Sequence, residues 1–198
     1  MPTTYFNLLE TSLRELLADK GILSAEQVDR QVADMDSRTP ARGARVVARA
    51  WTDPAYKARL LADGNAALEE IGLDRGVYKL VVVENTPAVH NVVVCTLCSC
   101  YPRWLLGLPP DWYKSREYRS RTVREPRAVL SEFGVDLPAG TTVRVHDSTA
   151  DMRYLVVPAR PVATEALTET ELAALVSRDA MIGTALAGAA PKISSDLA

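Results

Sequence analysis

The chain has 198 residues, 47% of them hydrophobic, with 23 Lys and Arg against 25 Asp and Glu. That length supports one domain with a sizeable core, and a formal net charge of -2 makes no electrostatic case for nucleic acid or an anionic membrane. No apolar stretch approaches the ~20 residues of a membrane span, and the start, Met1-Pro2-Thr3-Thr4-Tyr5, lacks the basic region and apolar core of a secretory signal.

Leu8, Leu9, Leu13, Leu16 and Leu17 recur at helical spacing before Gly21, a natural stop. Ser24 and Gln27 form a capping-box pattern opening a second helix that carries Val28, Val32 and Met35. Residues 36–43 read as a hinge, so residues 1–36 are expected to form an N-terminal helical arm. Its apolar stripe needs cover, from another subunit or from its own domain. Further helices are expected over Ala44 to Trp51 and after Asp53-Pro54, a cap followed by a first-turn proline, with Gly72 ending the series.

From Tyr78 the texture changes: β-branched runs at Lys79 to Val83 and Asn91 to Val94 predict strands, separated by Asn85-Thr86-Pro87. A Pro/Gly stretch follows from Pro102 to Pro110. Helices are expected over Asp111 to Arg119 and Glu125 to Phe133, and strands over Thr142 to Val145 and Tyr154 to Val157 around an Asp147-Ser148-Thr149 turn. Thr168 and Glu171 form another capping box, for a helix through Val176, and residues 187–198 read as a flexible tail. Helices first, then mixed strands and helices, give the α+β class, with the main domain over residues 37–186.

All three cysteines lie in Cys95-Thr96-Leu97-Cys98-Ser99-Cys100, at the end of the apolar run Val92-Val93-Val94. Three thiols cannot all pair internally, which points to the reducing cytoplasm. Grouped in one loop, they point to chemistry there, most often a metal. Three readings stay open. Structural zinc needs a fourth ligand, which would have to be His90. A Cys95–Cys98 redox pair would normally open a helix, and Tyr101-Pro102 argues against one. In the third reading, Cys98 and Cys100 flank the backbone nitrogens of Ser99 and Cys100. Deprotonated, these donors close fused chelate rings in one plane, with Cys95 axial and one axial position open. Such a planar set suits a strongly Lewis-acidic transition metal better than zinc.

The string from Val92 to Pro102 resembles the metal-site signature of the nitrile hydratase α subunit. Val46 to Pro54, Glu84 to Pro87, Leu106 to Ser115, Arg124 to Arg127, Val129 to Gly134, Met152 to Tyr154 and Arg178-Asp179 fit the same family in order, over roughly residues 40 to 185. The resemblance implies an α+β fold, with the N-terminal helical arm followed by a layered α/β/β/α domain with mixed sheets. It implies a low-spin Co(III) or Fe(III) site held by the sulfurs of Cys95, Cys98 and Cys100 and the amide nitrogens of Ser99 and Cys100. Thr96 matches the cobalt branch; the iron branch usually has Ser there. Cys98 would be oxidised to sulfinic acid and Cys100 to sulfenic acid. The implied activity is addition of water to a small-molecule nitrile, giving an amide. The implied partners are a β subunit, as one chain or split in two, whose arginines hold the oxidised sulfurs, and an activator protein that delivers the metal.

Cys100, Cys98 and Arg103 are the candidate catalytic residues. Arg103 stands where nitrile hydratases commonly carry Trp, and there the chain is similar to the γ subunit of thiocyanate hydrolase, a relative with the same metal claw. A guanidinium would favour an anion such as thiocyanate, or a polar group on a bulky nitrile, as in toyocamycin-type nitrile hydratases. Leu108-Pro109-Pro110 fits nitrile hydratase better. Among the remaining candidates, His90 reads as a hydrogen-bonded sheet residue and His146 carries no motif. The arginine-rich stretch Arg116 to Arg127 reads as a solvated face or subunit interface, and Trp112 and Tyr113 as core or interface.

Overall fold

The computed structural model describes residues 4–189, in two units divided between Ser37 and Arg38. The first unit is a helix pair, α1 (Tyr5–Asp19) and α2 (Ala25–Ser37). Both starts are held by reciprocal caps. Thr4 exchanges side-chain bonds with Asn7, and the Ser24 hydroxyl accepts from the Gln27 N–H while the Gln27 side chain accepts from the Ser24 N–H. Gly21, at φ +65°, ends α1 as expected, and Arg14 pairs with Asp29 across the two helices at 2.8 Å. Neither helix buries a residue, and Leu8, Leu9, Leu13 and Leu16 stay exposed.

The second unit starts with α3 (Ala41–Thr52), which buries Ala44, Val46, Val47, Ala48 and Ala50. The stretch read as a hinge over 36–43 is helical up to Ser37 and from Ala41 onward, which leaves Arg38, Thr39 and Pro40 between α2 and α3. Gly43 lies inside the helix, at a position where a Cβ would overlap Leu106 and Met181. Asp53 caps α4 (Pro54–Ala62) by accepting from the Tyr56 N–H at 2.9 Å, with Pro54 in the first turn. Asp63 does the same for α5 (Gly64–Glu70), a break that the apolar pattern does not announce.

The strands are β1 (Lys79–Glu84), β2 (Val89–Val94), β3 (Thr142–Asp147) and β4 (Met152–Val157). Strands joined by a short turn, β1 to β2 and β3 to β4, do not pair with each other. β1 pairs with β4 and β2 with β3, both parallel, with Lys79 opposite Met152 and Val89 opposite Thr142. The expected mixed sheets are thus two parallel pairs. The turns after β1 and β3 each carry the chain from one pair to the other. The Asn91 N–H donates to the Asn85 side chain at 2.7 Å, and the Ser148 N–H continues the β2–β3 ladder to the Val94 carbonyl at 2.8 Å.

α4 and α5 lie against β1, the two pairs meet through β2 with β4 and β1, and α7 and α8 lie against β2 and β3. The order of layers is α/β/β/α. The expected helix over Asp111 to Arg119 is broken at Ser115 into a 3-10 turn, Asp111–Lys114, and α7 (Arg116–Arg124), because the Ser115 hydroxyl caps α7. α8 (Pro126–Glu132) follows. Trp112, Tyr113, Tyr118 and Phe133 pack as one aromatic group, with the Trp112 ring 4.7 Å from Phe133 and 4.8 Å from Tyr118. Within the arginine stretch, Arg121 pairs with Glu125 and Glu132.

The short helix α6 (Arg103–Leu106) follows the cysteine loop. α9 (Glu169–Ala174), opened by the Thr168–Glu171 capping box, and α10 (Arg178–Ile182) complete the unit. The expected tail lies outside the described residues from 190 onward. Among the described residues, no helix is long and apolar enough to cross a membrane.

Candidate metal centre

β2 is buried from His90 to Val94, so the chain leaves the core at Cys95, itself fully buried. The backbone then turns outward, leaving Cys98 exposed and Cys100 half-buried. The turn brings the sulfurs together. Cys95 Sγ is 3.7 Å from Cys98 Sγ, Cys98 Sγ is 3.3 Å from Cys100 Sγ, and all three lie within 4.8 Å of one another. Sulfurs ~2.3 Å from one ion would stand about 3.3 Å apart at a right angle and about 3.8 Å apart at a tetrahedral angle. Both short separations fall in that range. The Cys98 N–H donates to Cys95 Sγ at 3.3 Å.

The electrostatics agree with a cation between them. The Cys98 thiol is held below its ordinary range by the neighbouring Cys100 thiol first, and then by the backbone N–H groups of Ser99 and Cys100. Cys100 is pushed the opposite way, by burial first and then by its sulfur neighbours. The surroundings thus favour the thiolate at Cys98 and disfavour it at Cys100. A bound cation reverses the second effect, because each further thiolate then neutralises charge. The donor set fits a metal.

Both ends of the loop are anchored. The Tyr118 hydroxyl donates to the Val93 carbonyl at 2.7 Å, and the Tyr113 hydroxyl to the Cys100 carbonyl at 3.0 Å. Asp147 accepts from both the N–H and the hydroxyl of Thr96. None of these three anchors was legible as a site residue. Tyr113 read as core or interface, Tyr118 as part of the arginine-rich stretch, and Asp147 as part of a turn.

Cys98, Ser99 and Cys100 line a cleft of about 480 Å³ together with Arg38, Tyr78, Arg103 and Arg153. Arg103 is exposed at the start of α6, so the structure brings it to the same cleft as the sulfurs. Arg153 is buried. Its guanidinium stacks 4.0 Å from the Tyr78 ring centre and donates to the carbonyls of Ala150 and Met152.

His90 is not brought to the sulfurs. Its Nε2 donates to the Gly183 carbonyl at 2.7 Å, and its Nδ1 lies 3.3 Å from the Asn85 amide nitrogen, so neither nitrogen is left for a fourth zinc bond. Among the described residues, the metal-competent group is the three cysteines alone. The redox-pair reading loses its helix as well, since α6 begins only at Arg103, after Pro102.

Residues 4–185 match the family described as "Nitrile hydratase, alpha chain". The low-molecular weight cobalt-containing nitrile hydratase subunit alpha of Rhodococcus rhodochrous is 49% identical over 175 residues, covering 87% of this chain and 84% of that one. A recombinant thiocyanate hydrolase with partially modified cobalt centres superposes with a TM-score of 0.89 at 41% identity, covering 98% of this chain and 94% of that one. An Fe-type nitrile hydratase of Comamonas testosteroni Ni1 superposes at 0.87 and 42% identity, covering 98% and 99%. With three clustered sulfurs and a family match over nearly its whole length, the chain belongs to the nitrile hydratase alpha-chain family.

Proposed function

We propose that this chain is the metal-bearing subunit of a nitrile hydratase, in which a β subunit completes the active site and water adds across a nitrile C≡N bond to give an amide. The observation that carries the reading is the sulfur triad within 4.8 Å, opening on a cleft that holds Arg103. Cys95, Cys98 and Cys100 would hold the ion through sulfur, and Ser99 and Cys100 through their backbone nitrogens. Relatives of both cobalt and iron type are known; Thr96 and the cobalt-containing relative support Co(III) over Fe(III). An ion held there would supply Lewis acidity toward the substrate.

The chain's own residues do the rest. The buried Cys95 fixes the site at the end of β2. Cys98 and Cys100, oxidised to sulfinic and sulfenic acid, present oxygens to the cleft, and the Cys100 oxygen serves as nucleophile or base toward the substrate. Arg103 stands beside them as a donor for a polar or negatively charged part of the substrate. Arginines of the β subunit would hold the sulfur oxygens by charge-assisted bonds. The exposed apolar stripe of α1 and α2 supports an arm that lies on that partner. An activator protein would deliver the metal, and the unpaired thiols support a cytoplasmic setting.

The test is co-expression with the partner subunit in cobalt medium, followed by cobalt content, peptide mass and product analysis. Near-stoichiometric cobalt, peptides heavier by ~16 Da for each added oxygen on Cys98 and Cys100, and an amide product are expected. Zinc alone, without oxidised cysteines, would sink the reading. Arg103 and the thiocyanate hydrolase likeness favour a second reading, thiocyanate hydrolysis. Carbonyl sulfide and ammonia in place of an amide would establish it.

A further inference from the structure

Thr96 is the first residue of the loop after Cys95, and both of its donors go to one carboxylate. Its N–H donates to Asp147 Oδ1 at 2.9 Å and its hydroxyl to Asp147 Oδ2 at 2.6 Å. Asp147 reaches it through the sheet register. It is the last residue of β3 and lies opposite Val94, the last residue of β2. The Ser148 N–H, next in the chain, donates to the Val94 carbonyl at 2.8 Å. The carboxylate therefore sits where the buried strand becomes the exposed loop. From there the order is passed along, since the Cys98 N–H donates to Cys95 Sγ at 3.3 Å.

Asp147 does not line the cleft and has no place in the proposed chemistry. The geometry points to Asp147 as a positioning residue of the metal centre, whose two-oxygen grip on Thr96 gathers the three sulfurs before the metal arrives. Unclamped, the exposed loop that carries Cys98 would open into the many conformations in which the sulfurs lie apart. A clamp on the first residue after Cys95 opposes that opening from outside the ligand set. This rests on the metal-centre reading above.

The chemistry of the clamp sets its test. Asn at position 147 can accept from the Thr96 N–H through its oxygen and donate to the Thr96 hydroxyl through its nitrogen, so it keeps both bonds without the charge. Ala keeps neither. In the complex with the partner subunit, grown on limiting cobalt, Asp147→Ala should hold ~10-fold less cobalt and lose the sulfur-to-metal absorption in proportion. Asp147→Asn should stay within about twofold of the parent on both readouts. Equal loading of Asp147→Ala and the parent would overturn the proposal. So would equal losses in the Ala and Asn variants, which would assign the effect to charge. Should Asp147→Ala fail to fold, Thr96→Val carries the test, because it removes the hydroxyl bond and leaves the strand ladder intact. Unchanged loading there would overturn the clamp. A parent protein that takes up no cobalt would instead overturn the metal-centre reading, and this inference with it.

Discussion

Two polar clusters hang from the same strand, β2, and they behave in opposite ways. At its start, His90 and Asn91 are buried, and their polar atoms are matched with partners. His90 bonds Gly183 and Asn85, while Asn91 bonds Asn85, the Glu84 carbonyl and, at 2.8 Å, His146. At its end, three thiols within 4.8 Å have mainly one another. A satisfied cluster is finished, and its return is rigidity and a fixed seat for α10. A cluster of like donors that resist ionising together is finished only by a cation. Histidine in a metalloprotein is usually suspected first as a ligand, yet here the histidines build the frame and the sulfurs form the site.

The comparison breaks first at the sulfurs. Cys98→Ser should remove metal binding and lower nitrile hydration by at least ~100-fold, while the unfolding free energy of the metal-free chain moves by less than about 0.5 kcal/mol, since Cys98 is exposed. Cobalt analysis and urea titration read both. His90→Ala should do the reverse. It strands the Gly183 carbonyl and leaves a void, costing about 2–4 kcal/mol by urea titration, while the chains that remain folded take up cobalt normally.

Acid should weaken the frame through the same histidines. Burial holds His90 below its ordinary value of 6.5, against the pull of the Gly183 carbonyl; burial and then Arg144 do the same to His146. The unfolded chain therefore binds protons from pH 6.5 downward while the folded chain resists them. Stability is complete above pH 6.5 and falls below it, by at most about 1.4 kcal/mol per pH unit for each histidine. The carboxylates Glu70, Glu125 and Glu171 are held below 4.5, so their contribution is lost only at lower pH. Urea midpoints at pH 7.5 and 5.5 should differ in the parent and less in His90→Asn. The smallest effect is expected at Arg103. Arg103→Ala should leave stability unchanged and raise the KM for a polar nitrile or thiocyanate by about fivefold, against little change for a small apolar nitrile.

The helix starts were legible because their signals are local. Thr168 with Glu171, Ser24 with Gln27 and Asp53-Pro54 each bond within a few residues and appear as expected. The break at Asp63 and the split at Ser115 were hidden, because one capping side chain interrupts an otherwise continuous pattern. Strand positions were legible to within a residue or two, but their partners were not. β-branched runs say where a strand lies, not which strand it meets, and here each pairs with a strand far along the chain.

The metal ligands belong to the first kind of information and their support to the second. By itself the sequence pointed to the proposed donor set, Cys95, Cys98 and Cys100 with the amides between them, because the three thiols stand within six residues inside a string that resembles the family's metal-site signature. The tertiary structure decided what stands around that set. It withheld His90 by giving both its nitrogens to the frame, brought Arg103 to the mouth of the cleft, and set Tyr113, Tyr118 and Asp147 on the loop from elements far away in sequence. The physical reason is the range of each interaction. Chelation within a short loop is fixed by covalent geometry, whereas a carboxylate 51 residues away reaches Thr96 only after β3 has found its register beside β2.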